Sequence, residues 1–534
     1  MKRQAPSIFN DIVGPIMVGP SSSHTCAPAR LGYLSGQLLK GKLIKAVVEF
    51  ARDGAYTLMY KGQKSDMGFV SGLLGNRPED VKLRRAFDLA REEGLDVSFE
   101  INDFYPTVPN LAKISLYSDL DEKITVETDS TGGGTVKILS INGFPTSILG
   151  DCYELLIWAD MNEERANKLG DQIKTKMQTC EGSGVSTVDG VSLINIKQRI
   201  PLTEEIINEI KSCEKVENVR VISPVLLVPS NRHAELPFAS AADLLEIAER
   251  NNRPLWELAI DYEAARSGWE RDKVIDTMTY VIENMEKGVK EALTGNININ
   301  GIIGPTAGKV EKYIKSSPRA LDMGVLNTAV PWAMATMEYS SAMGVVFCAP
   351  TGGSAGVFPG AVLGVAEQMG LSLEEKVKMM LVTSIIGIVI SQHHNYSAEL
   401  FGCQVEPGSA SAMAAAGLVH LMGGTARQAM DAASCAIQNI LGTICDPVAG
   451  LVQIPCINRN AMSAANSVVC ANMIMGGFDP LITLDEVAET MFRVGKQLPG
   501  ELRCTCKGGL CITATGQRLA TEQDIRNNQL FKNR

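Results

Sequence analysis

Hydrophobic and polar residues repeat with two different periods along this chain, and the changes in period divide it into three parts. In residues 1–147 the periods are mixed. Segments 43–50 and 124–128 show the two-residue repeat of strands, and segment 78–93 shows the repeat of an amphipathic helix. The mixture predicts an N-terminal α+β domain over residues 1–147.

The second part, residues 148–226, has a regular order of short elements. Strand patterns lie at 153–158, 185–188, 191–196 and 216–222, and helical patterns lie at 162–177, with Asn162 as N-cap, and at 203–211. Asp189 and Gly190 are typical of a hairpin turn between the middle strands. The order predicts a ferredoxin-like βαββαβ domain, followed by a linker at 225–232.

Helical periodicity dominates the third part, residues 227–534. The segments 241–251, 269–293, 331–343, 373–391, 409–422 and 425–441 all repeat apolar residues at helical spacing. A large all-α C-terminal domain is therefore predicted. The apolar run 379–390 is much shorter than the ~20 residues of a membrane span, so we expect a buried helix there and no membrane association.

Composition narrows the classes of function. The chain has 534 residues, of which 45% are hydrophobic, and a net charge of −10. Single cores stop growing at roughly 250–300 residues, so several domains are expected. The acidic balance argues against nucleic acid as a partner, because phosphate binding needs a basic face. An N-terminus without an export signal and thirteen scattered cysteines predict a cytoplasmic protein with reduced thiols.

Three cysteines in Gly- and Pro-rich surroundings are the first candidates for chemistry. Each of Cys403, Cys445 and Cys456 lies beside a Gly or Pro, or one residue from it. In a reducing compartment, three thiolates from separate loops indicate a metal site with an unfilled position where substrate can bind. The alternative is ordinary buried cysteine, because no CxxC pair is present among the three.

The segment GPSSSHT at residues 19–25 is the second candidate. Its hydroxyl and N–H groups follow a Gly-Pro turn and suit a carboxylate, and His24 can move a proton near neutral pH. The structural alternative is a serine-rich helix N-cap. Arg30, six residues further on, either pairs with a carboxylate or is a surface charge.

Three other features are weaker signals. The Gly-rich loops at 129–134, 304–309 and 349–356 match neither a Walker A nor a dinucleotide motif, and 132–134 is typical of a hairpin. His393 and His394 are adjacent and would face different sides of a helix, so they are poor candidates as joint ligands. The cysteines at 504, 506 and 511 form a second metal site, a fourth ligand or a packed tail, and the sequence leaves all three open.

Together these segments resemble the iron–sulfur-dependent L-serine dehydratases. GPSSSHT resembles the signature of the family's β part. APTGGSAG (349–356), GCQ (402–404) followed by SAMAAAGL (411–418), and CDPVAGLVQIPCINRNA (445–461) resemble the α part in order and spacing. The middle part is similar to an ACT domain, a small regulatory fold. The chain thus resembles a fusion of β part (1–147), ACT domain (148–226) and α part (227–534).

The resemblance implies a cofactor and an activity. The cofactor would be a 4Fe–4S cluster held by Cys403, Cys445 and Cys456. The activity would be deamination of L-serine to pyruvate and ammonia: the serine hydroxyl binds an open iron, a base removes the Cα proton, and water leaves. His24 is the expected acid–base residue, grouped as catalytic with Ser22, Ser23 and Thr25. The expected substrate-binding residues are Ser21, Asn110, Ser130, Thr131, Gly132, Thr351 and Gly352.

The sequence departs from the family pattern in two segments. NYSAE (395–399) stands where the family usually has ISGAE, and VPN (108–110) stands where it has HPN. A β-elimination from L-cysteine or L-threonine, a catalytically inactive amino-acid sensor and a structural zinc protein therefore stay as alternatives. Some members end in a cysteine that caps the open iron, a role that here would fall to the cysteines at 504, 506 or 511. An amino-acid effector at the ACT domain and a homo-oligomer are also expected.

Overall fold

The chain divides into two compact units, and neither is one continuous stretch. The computed structural model describes residues 5–393 and 395–532. Unit 1 contains residues 24–60 and 65–234, and unit 2 contains residues 5–23, 61–64 and 235 onward. The boundary between Ser23 and His24 falls inside the GPSSSHT segment. The three domain boundaries drawn from the sequence stay predictions.

The N-terminal segment of unit 2 begins with a π-helical turn at Ile8–Ile12, followed by strand β1 (Ile16–Val18). A buried carboxyl group holds it in place. Ser7 Oγ donates to Glu263 Oε1 at 2.7 Å, and the N–H of Ile8 donates to Glu263 Oε2 at 2.7 Å. Burial raises the pKa of Glu263 to about 7, because a carboxylate loses hydration there.

Unit 1 starts with a six-stranded sheet in the order β3-β2-β4-β5-β6-β7, in which only the β2–β3 pair is parallel. The elements of this part are α1 (Ala27–Gly36), β2 (Leu43–Ala51), α2 (Tyr56–Met59), α3 (Ser65–Leu73), α4 (Ala86–Glu93), β3 (Asp96–Asn102), β4 (Leu111–Ser118), β5 (Lys123–Gly132), β6 (Thr135–Ile141) and β7 (Phe144–Ile148). The predicted strands at 43–50 and 124–128 lie within β2 and β5. The predicted α+β character of this part is confirmed.

The predicted single helix over 78–93 is wrong at its start. A 3₁₀ turn at Val81–Arg85 comes first, and α4 begins only at Ala86. The cause is local, because the Asp80 side chain accepts the N–H of Lys82 at 2.9 Å and caps the chain at that point.

Glycines allow α1 and α3 to approach each other closely. A Cβ added at Gly72 would lie 2.1 Å from the carbonyl oxygen of Ala29, and one added at Gly32 would lie 2.6 Å from that of Phe69. No larger residue fits at either position without moving a helix. This contact positions the first turn of α1, which directly follows His24 and Thr25.

The rest of unit 1 has the predicted element order. Its elements are β8 (Tyr153–Ala159), α5 (Glu163–Lys174), β9 (Cys180–Val188), β10 (Val191–Gln198), α6 (Glu204–Lys211) and β11 (Val216–Ile222). They form an antiparallel sheet in the order β11-β8-β10-β9. Asn162 caps α5 by accepting the N–H of Arg165, and Thr203 caps α6 in the same way. Buried Leu155, Ile157 and Ile194 lie in the core below the helices.

Unit 2 is mostly helical, as predicted. Its elements are α7 (Ala241–Arg250), α8 (Leu255–Ser267), α9 (Arg271–Leu293), α10 (Ala307–Ser316), α11 (Leu326–Ser341), β12 (Val345–Phe347), α12 (Val365–Met369), α13 (Leu373–His393), α14 (Ala398–Phe401), α15 (Pro407–Leu421), α16 (Ala426–Gln438), α17 (Cys456–Met475), α18 (Leu484–Gln497) and α19 (Ala514–Lys532). The apolar run 379–390 lies buried within α13.

The prediction of an all-α C-terminal domain needs one correction. Strand β12 pairs antiparallel with β1, with Ile16 opposite Phe347, so unit 2 also contains a two-stranded sheet. Each strand has three residues, which is too short for a recognisable alternation of polar and apolar positions. Of the helices in the described ranges, none combines the length and the apolar character that crossing a bilayer requires.

Candidate active site

A buried group of two thiols and a carboxyl lies in unit 2. One ligand atom each from Cys403, Glu406 and Cys445 lie within 4.8 Å of one another, and Cys403 Sγ is 4.0 Å from Glu406 Oε2. Sulfur and carboxylate donors gathered at this spacing can hold a metal centre. The structure therefore brings together two of the three predicted cysteine ligands.

The loop that carries Cys403 is fixed by backbone contacts to the loop before Cys445. Gly402 has φ = 76°, and a Cβ there would lie 2.7 Å from the carbonyl oxygen of Thr443, so only glycine fits. The N–H of Gln404 donates to the same carbonyl at 3.1 Å, and its side-chain Oε1 accepts the N–H of Gly442 at 2.9 Å. The two cysteines thus approach each other through paired loops.

Cys445 is held on its other side by the segment that precedes α19. Its N–H donates to the carbonyl of Leu502 and its own carbonyl accepts the N–H of Cys504, both at 2.9 Å. The thiols of Cys445 and Cys504 are also hydrogen-bonded. Cys504 therefore contacts Cys445, although it is not one of the three residues of the buried group.

Cys456, the third predicted ligand, is the first residue of α17 and lies outside the group of atoms within 4.8 Å. It is half-buried, and after burial the nearby Cys403 is the largest influence that raises the pKa of its thiol. Asn460, one turn along α17, donates to the carbonyls of Cys456 at 2.8 Å and Gly353 at 2.7 Å. This amide joins the start of α17 to the APTGGSAG loop.

The electrostatics of the group favour a bound cation. The hydrogen bond with Cys445 and burial raise the pKa of the Cys403 thiol well above its usual value. The hydrogen bond with Cys403 lowers the pKa of Cys445, but the bond with Cys504 and burial outweigh it and raise that pKa. Burial raises the pKa of Glu406 to about 8. Thiolates need compensating positive charge in such a place, and a metal centre supplies it.

Two residues at this site were not identified from the sequence. Glu406 lies three residues after Cys403, and Arg459 lies three residues after Cys456 on the same side of α17. Arg459 Nη1 is 3.6 Å from Cys403 Sγ, and its Nη2 is 2.9 Å from Asp446 Oδ1. Both residues could have been found from the sequence, because each lies three residues after a candidate cysteine ligand.

The serine segment and the APTGGSAG loop lie together in unit 2. Ser22 Oγ accepts the N–H of Gly352 at 3.2 Å, and a Cβ on Gly352 would lie 2.8 Å from the Ser22 nitrogen. The neighbouring Thr351 hydroxyl is hydrogen-bonded to the Glu406 carboxyl. A continuous path of contacts thus leads from Ser22 to Glu406 and on to Cys403.

The other two serines of the segment, Ser21 and Ser23, are held in different ways. Ser23 Oγ donates to Glu399 Oε1 at 2.7 Å, and Ser397 Oγ donates to the other oxygen of the same carboxylate at 2.8 Å. Ser21 is buried. Glu399 belongs to the NYSAE segment that departs from the family pattern, so this segment contacts Ser23 directly.

The other predicted site residues lie in unit 1. His24 and Thr25 are fully buried, and the His24 ring packs edge-on against Tyr56 with centroids 5.1 Å apart. Asn110 Nδ2 donates to the carbonyl of Ser130 at 3.0 Å, and Thr131 Oγ1 bonds to Thr135 Oγ1 at 2.7 Å. The hairpin that contains Ser130, Thr131 and Gly132 is therefore held by the residue before β4.

Arg30 is not a surface charge. It is buried on α1, and its Nη1 donates to the carbonyl of Gly134 at 2.6 Å. Gly133 and Gly134, with φ of 63° and 84°, form the predicted hairpin turn between β5 and β6. Arg30 thus fastens the turn to the helix that follows His24.

His393 does not join the thiol group. His393 Nε2 lies 3.3 Å from Asp485 Oδ1, and His394 lies outside the described residues. Cys506 and Cys511 lie beside the Cys445 loop, where both sulfur atoms are within hydrogen-bond distance of the carbonyl oxygen of Pro447.

Comparisons with known proteins cover nearly the whole chain. Residues 8–93 match the family described as "Serine dehydratase beta chain", and residues 154–511 match "Serine dehydratase alpha chain". The "Probable L-serine dehydratase, alpha chain" of Bacillus subtilis is 36% identical over 282 residues, which are 53% of this chain and 94% of that protein. In Escherichia coli, "L-serine dehydratase TdcG" is 28% identical over 93% of this chain and 97% of its own, and "L-serine dehydratase 2" is 27% identical over 95% and 98%.

Proposed function

This chain belongs to the serine dehydratase family, and from that premise we propose that it is an L-serine dehydratase with the β and α parts fused. It is a lyase that eliminates water from L-serine, and the aminoacrylate formed then tautomerises and hydrolyses to pyruvate and ammonia. The observation that carries the proposal is the buried group of Cys403, Glu406 and Cys445 in contact with the serine segment through Thr351 and Gly352.

The donor set fits an iron–sulfur cluster better than a closed zinc site. Thiolates are the usual ligands of such clusters, and a four-iron cluster is larger than a single ion, so Cys456 can contribute from outside the tight group. Cys403, Cys445 and Cys456 would hold a 4Fe–4S cluster. When bound, a cluster with one iron free of cysteine supplies a Lewis acid for the leaving hydroxyl group.

The residues of the chain would bind and orient the amino acid. Small hydroxyl side chains and N–H groups suit a carboxylate, a role proposed for Ser21, Thr351 and Gly352 and for the hairpin residues of unit 1 with Asn110. His24 is proposed to take the Cα proton at Nε2, with Ser22, Ser23 and Thr25 beside it in sequence. Arg459 would balance the negative charge of the thiolates from α17.

The second part of unit 1 is proposed to be an ACT regulatory domain that binds an amino-acid effector. Its element order and strand order support this. A cavity of about 200 Å³ lies beside β9 and β10, lined by Ser147, Ser183, Asn195 and Lys197 among others. Lys197 Nζ is 2.6 Å from Glu154 Oε1, and both side chains are nearly fully buried. Calorimetric titration with each common amino acid would test for the effector.

The expected homo-oligomer and cytoplasmic location stay predictions.

One experiment tests the main proposal. The protein is purified without oxygen, its iron and inorganic sulfide are counted, and pyruvate formation is measured with L-serine, L-threonine and L-cysteine. We expect about four of each per chain, as the cofactor implies, and the highest kcat/KM for L-serine. Full activity without inorganic sulfide would contradict the cofactor, and preference for L-cysteine would replace the substrate.

A further inference from the structure

Two thiols beside the Cys445 loop have no part in the proposed function. Cys506 and Cys511 are hydrogen-bonded to each other. Both sulfur atoms also lie within hydrogen-bond distance of one acceptor, the carbonyl oxygen of Pro447, at 3.5 Å and 3.1 Å. All thirteen cysteines are within the described part of the chain, and none of them is in a disulfide.

The loop between the two thiols is fixed against the segment that follows Cys445. The N–H of Leu510 donates to Asp446 Oδ2 at 2.8 Å, and Cys506 also receives a hydrogen bond from the N–H of Gly450. Cys506 has φ = 56°, a conformation that is uncommon for residues other than glycine. The backbone therefore holds the two sulfur atoms side by side.

Exposure differs between the two thiols in a way that suits exchange chemistry. Cys506 is partly exposed and is followed by exposed Lys507, whereas Cys511 is 7% exposed. A reagent can reach the first sulfur, and the second is already in place to complete the reaction. Cys435 and Cys470 form a second hydrogen-bonded thiol pair, but they are only 4% and 0% exposed, so that pair is a matched control within the same chain.

We propose that Cys506 and Cys511 are a site of reversible disulfide formation by exchange with small-molecule disulfides. The Cys506 thiolate attacks one sulfur of the reagent, whose S–S bond breaks and releases one thiol with the proton from Cys506. Cys511 then attacks the Cys506 sulfur, and the second thiol leaves with the proton from Cys511. Two protein thiols are oxidised and one reagent disulfide is reduced to two thiols.

The disulfide changes the loop that carries a proposed cluster ligand, and this step rests on the proposed function. A disulfide has no S–H group, so the buried carbonyl of Pro447 loses the hydrogen bond that the thiols donate and keeps that from the N–H of Gly450, at 3.0 Å. Pro447 lies two residues after Cys445. Oxidation therefore loosens the attachment of this loop and weakens retention of the cluster.

The test uses the anaerobically purified holoenzyme and oxidised glutathione. After equilibration, free thiols are alkylated and the chain is digested with trypsin, which cuts after Lys507 and places the two cysteines on different peptides, 504–507 and 508–518. Mass spectrometry is expected to find these peptides joined through Cys506. The link should disappear after treatment with dithiothreitol. It should persist in the Cys504→Ser variant and be absent in Cys506→Ser. As the internal control, Cys435 and Cys470 should still react with the alkylating reagent after denaturation.

Three results would overturn the proposal. They are thiols at both positions after treatment, a stable glutathione adduct on Cys506 without the link, and a link through Cys504 instead. Because peptide mapping needs no serine turnover, failure of the proposed function would leave this result intact.

The cluster arm is measured separately. The half-time for loss of the cluster absorbance to a ferrous-iron chelator is expected to shorten at least about twofold in the oxidised wild type, and to stay unchanged by glutathione in Cys506→Ser. An unchanged half-time in the oxidised wild type would refute the link to the cluster.

Discussion

The two groups of candidate residues are built in different ways. In unit 2, Cys403, Glu406 and Cys445 come from loops between helices, joined by backbone hydrogen bonds and by glycines that permit close approach. In unit 1, Asn110 and Ser130 lie at the ends of the paired neighbouring strands β4 and β5, and Arg30 fastens the turn that follows.

The two groups differ in whether their buried side chains need a bound cation. The unit 2 group buries thiols and a carboxyl whose pKa values burial and mutual contact raise, so it is stable only when a cation is bound or the groups are protonated. In unit 1, the side chain of Asn110 is neutral and donates to a backbone carbonyl, so its contact needs no such partner. We therefore expect variants of Cys403, Glu406 or Cys445 to disrupt the cofactor, and variants of the candidate residues in unit 1 to disrupt turnover alone.

The largest expected effect is that of Cys445→Ser. A serine hydroxyl is a poor ligand for iron–sulfur clusters, so both the cluster absorbance and pyruvate formation should be lost. Cys470→Ser, which changes a fully buried cysteine on α17, is the control and should keep both. A Cys445→Ser protein with normal iron and sulfide content would mean that this cysteine is no ligand.

His24→Ala tests the other half of the comparison. Loss of an acid–base residue should lower kcat by about 10²–10⁴-fold, while the cluster absorbance stays as in the wild type. The exposed His233 in unit 1 provides the control, His233→Ala. Wild-type kcat in the His24 variant would remove its assigned role.

The carboxyl group of Glu263, which is not one of the candidate site residues, shows how burial changes stability with pH. The pKa of Glu263 rises from 4.5 to about 7 in the folded chain. Between these values the unfolded state binds fewer protons, so this group's contribution to stability is complete below pH 4.5 and is lost as pH rises through about 7. The loss is up to about 3 kcal/mol.

Urea unfolding at several pH values measures this effect as the difference between the wild type and Glu263→Gln. The difference should change across that pH range, whereas exposed Glu283→Gln should follow the wild type throughout. Parallel pH curves for wild type and Glu263→Gln would show that this carboxyl does not titrate as described.

The smallest expected effect comes from Gly352→Ala. The added Cβ would lie 2.8 Å from the Ser22 nitrogen and should displace the serine segment without removing a cluster ligand. We expect kcat/KM for L-serine to fall about tenfold with iron content unchanged. Gly304→Ala has no neighbour within 4 Å and serves as the control. If both variants kept wild-type kcat/KM, the contact with Ser22 would have no part in positioning substrate.

Local patterns predicted much of the fold, and the two misses have different causes, one local and one long-range. The elements over 153–222 follow from alternation, from the caps at Asn162 and Thr203, and from the Asp189-Gly190 turn, all of which act within a few residues. The 3₁₀ turn before α4 and the pairing of β1 with β12 were missed. The first depends on a single cap, and the second joins three-residue strands more than three hundred positions apart.

The sequence by itself determined most helices and strands, because hydrophobic periodicity and capping residues are local signals. It also determined the family and the candidate ligands Cys403, Cys445 and Cys456, because these lie in short motifs. Only the tertiary structure decided that Glu406 and Arg459 accompany Cys403, that Thr351 and Gly352 connect this group to Ser22, and that Cys506 and Cys511 share one carbonyl. The physical reason is that these contacts join loops far apart in the chain. Their distances depend on how the helices pack, and no short segment encodes that.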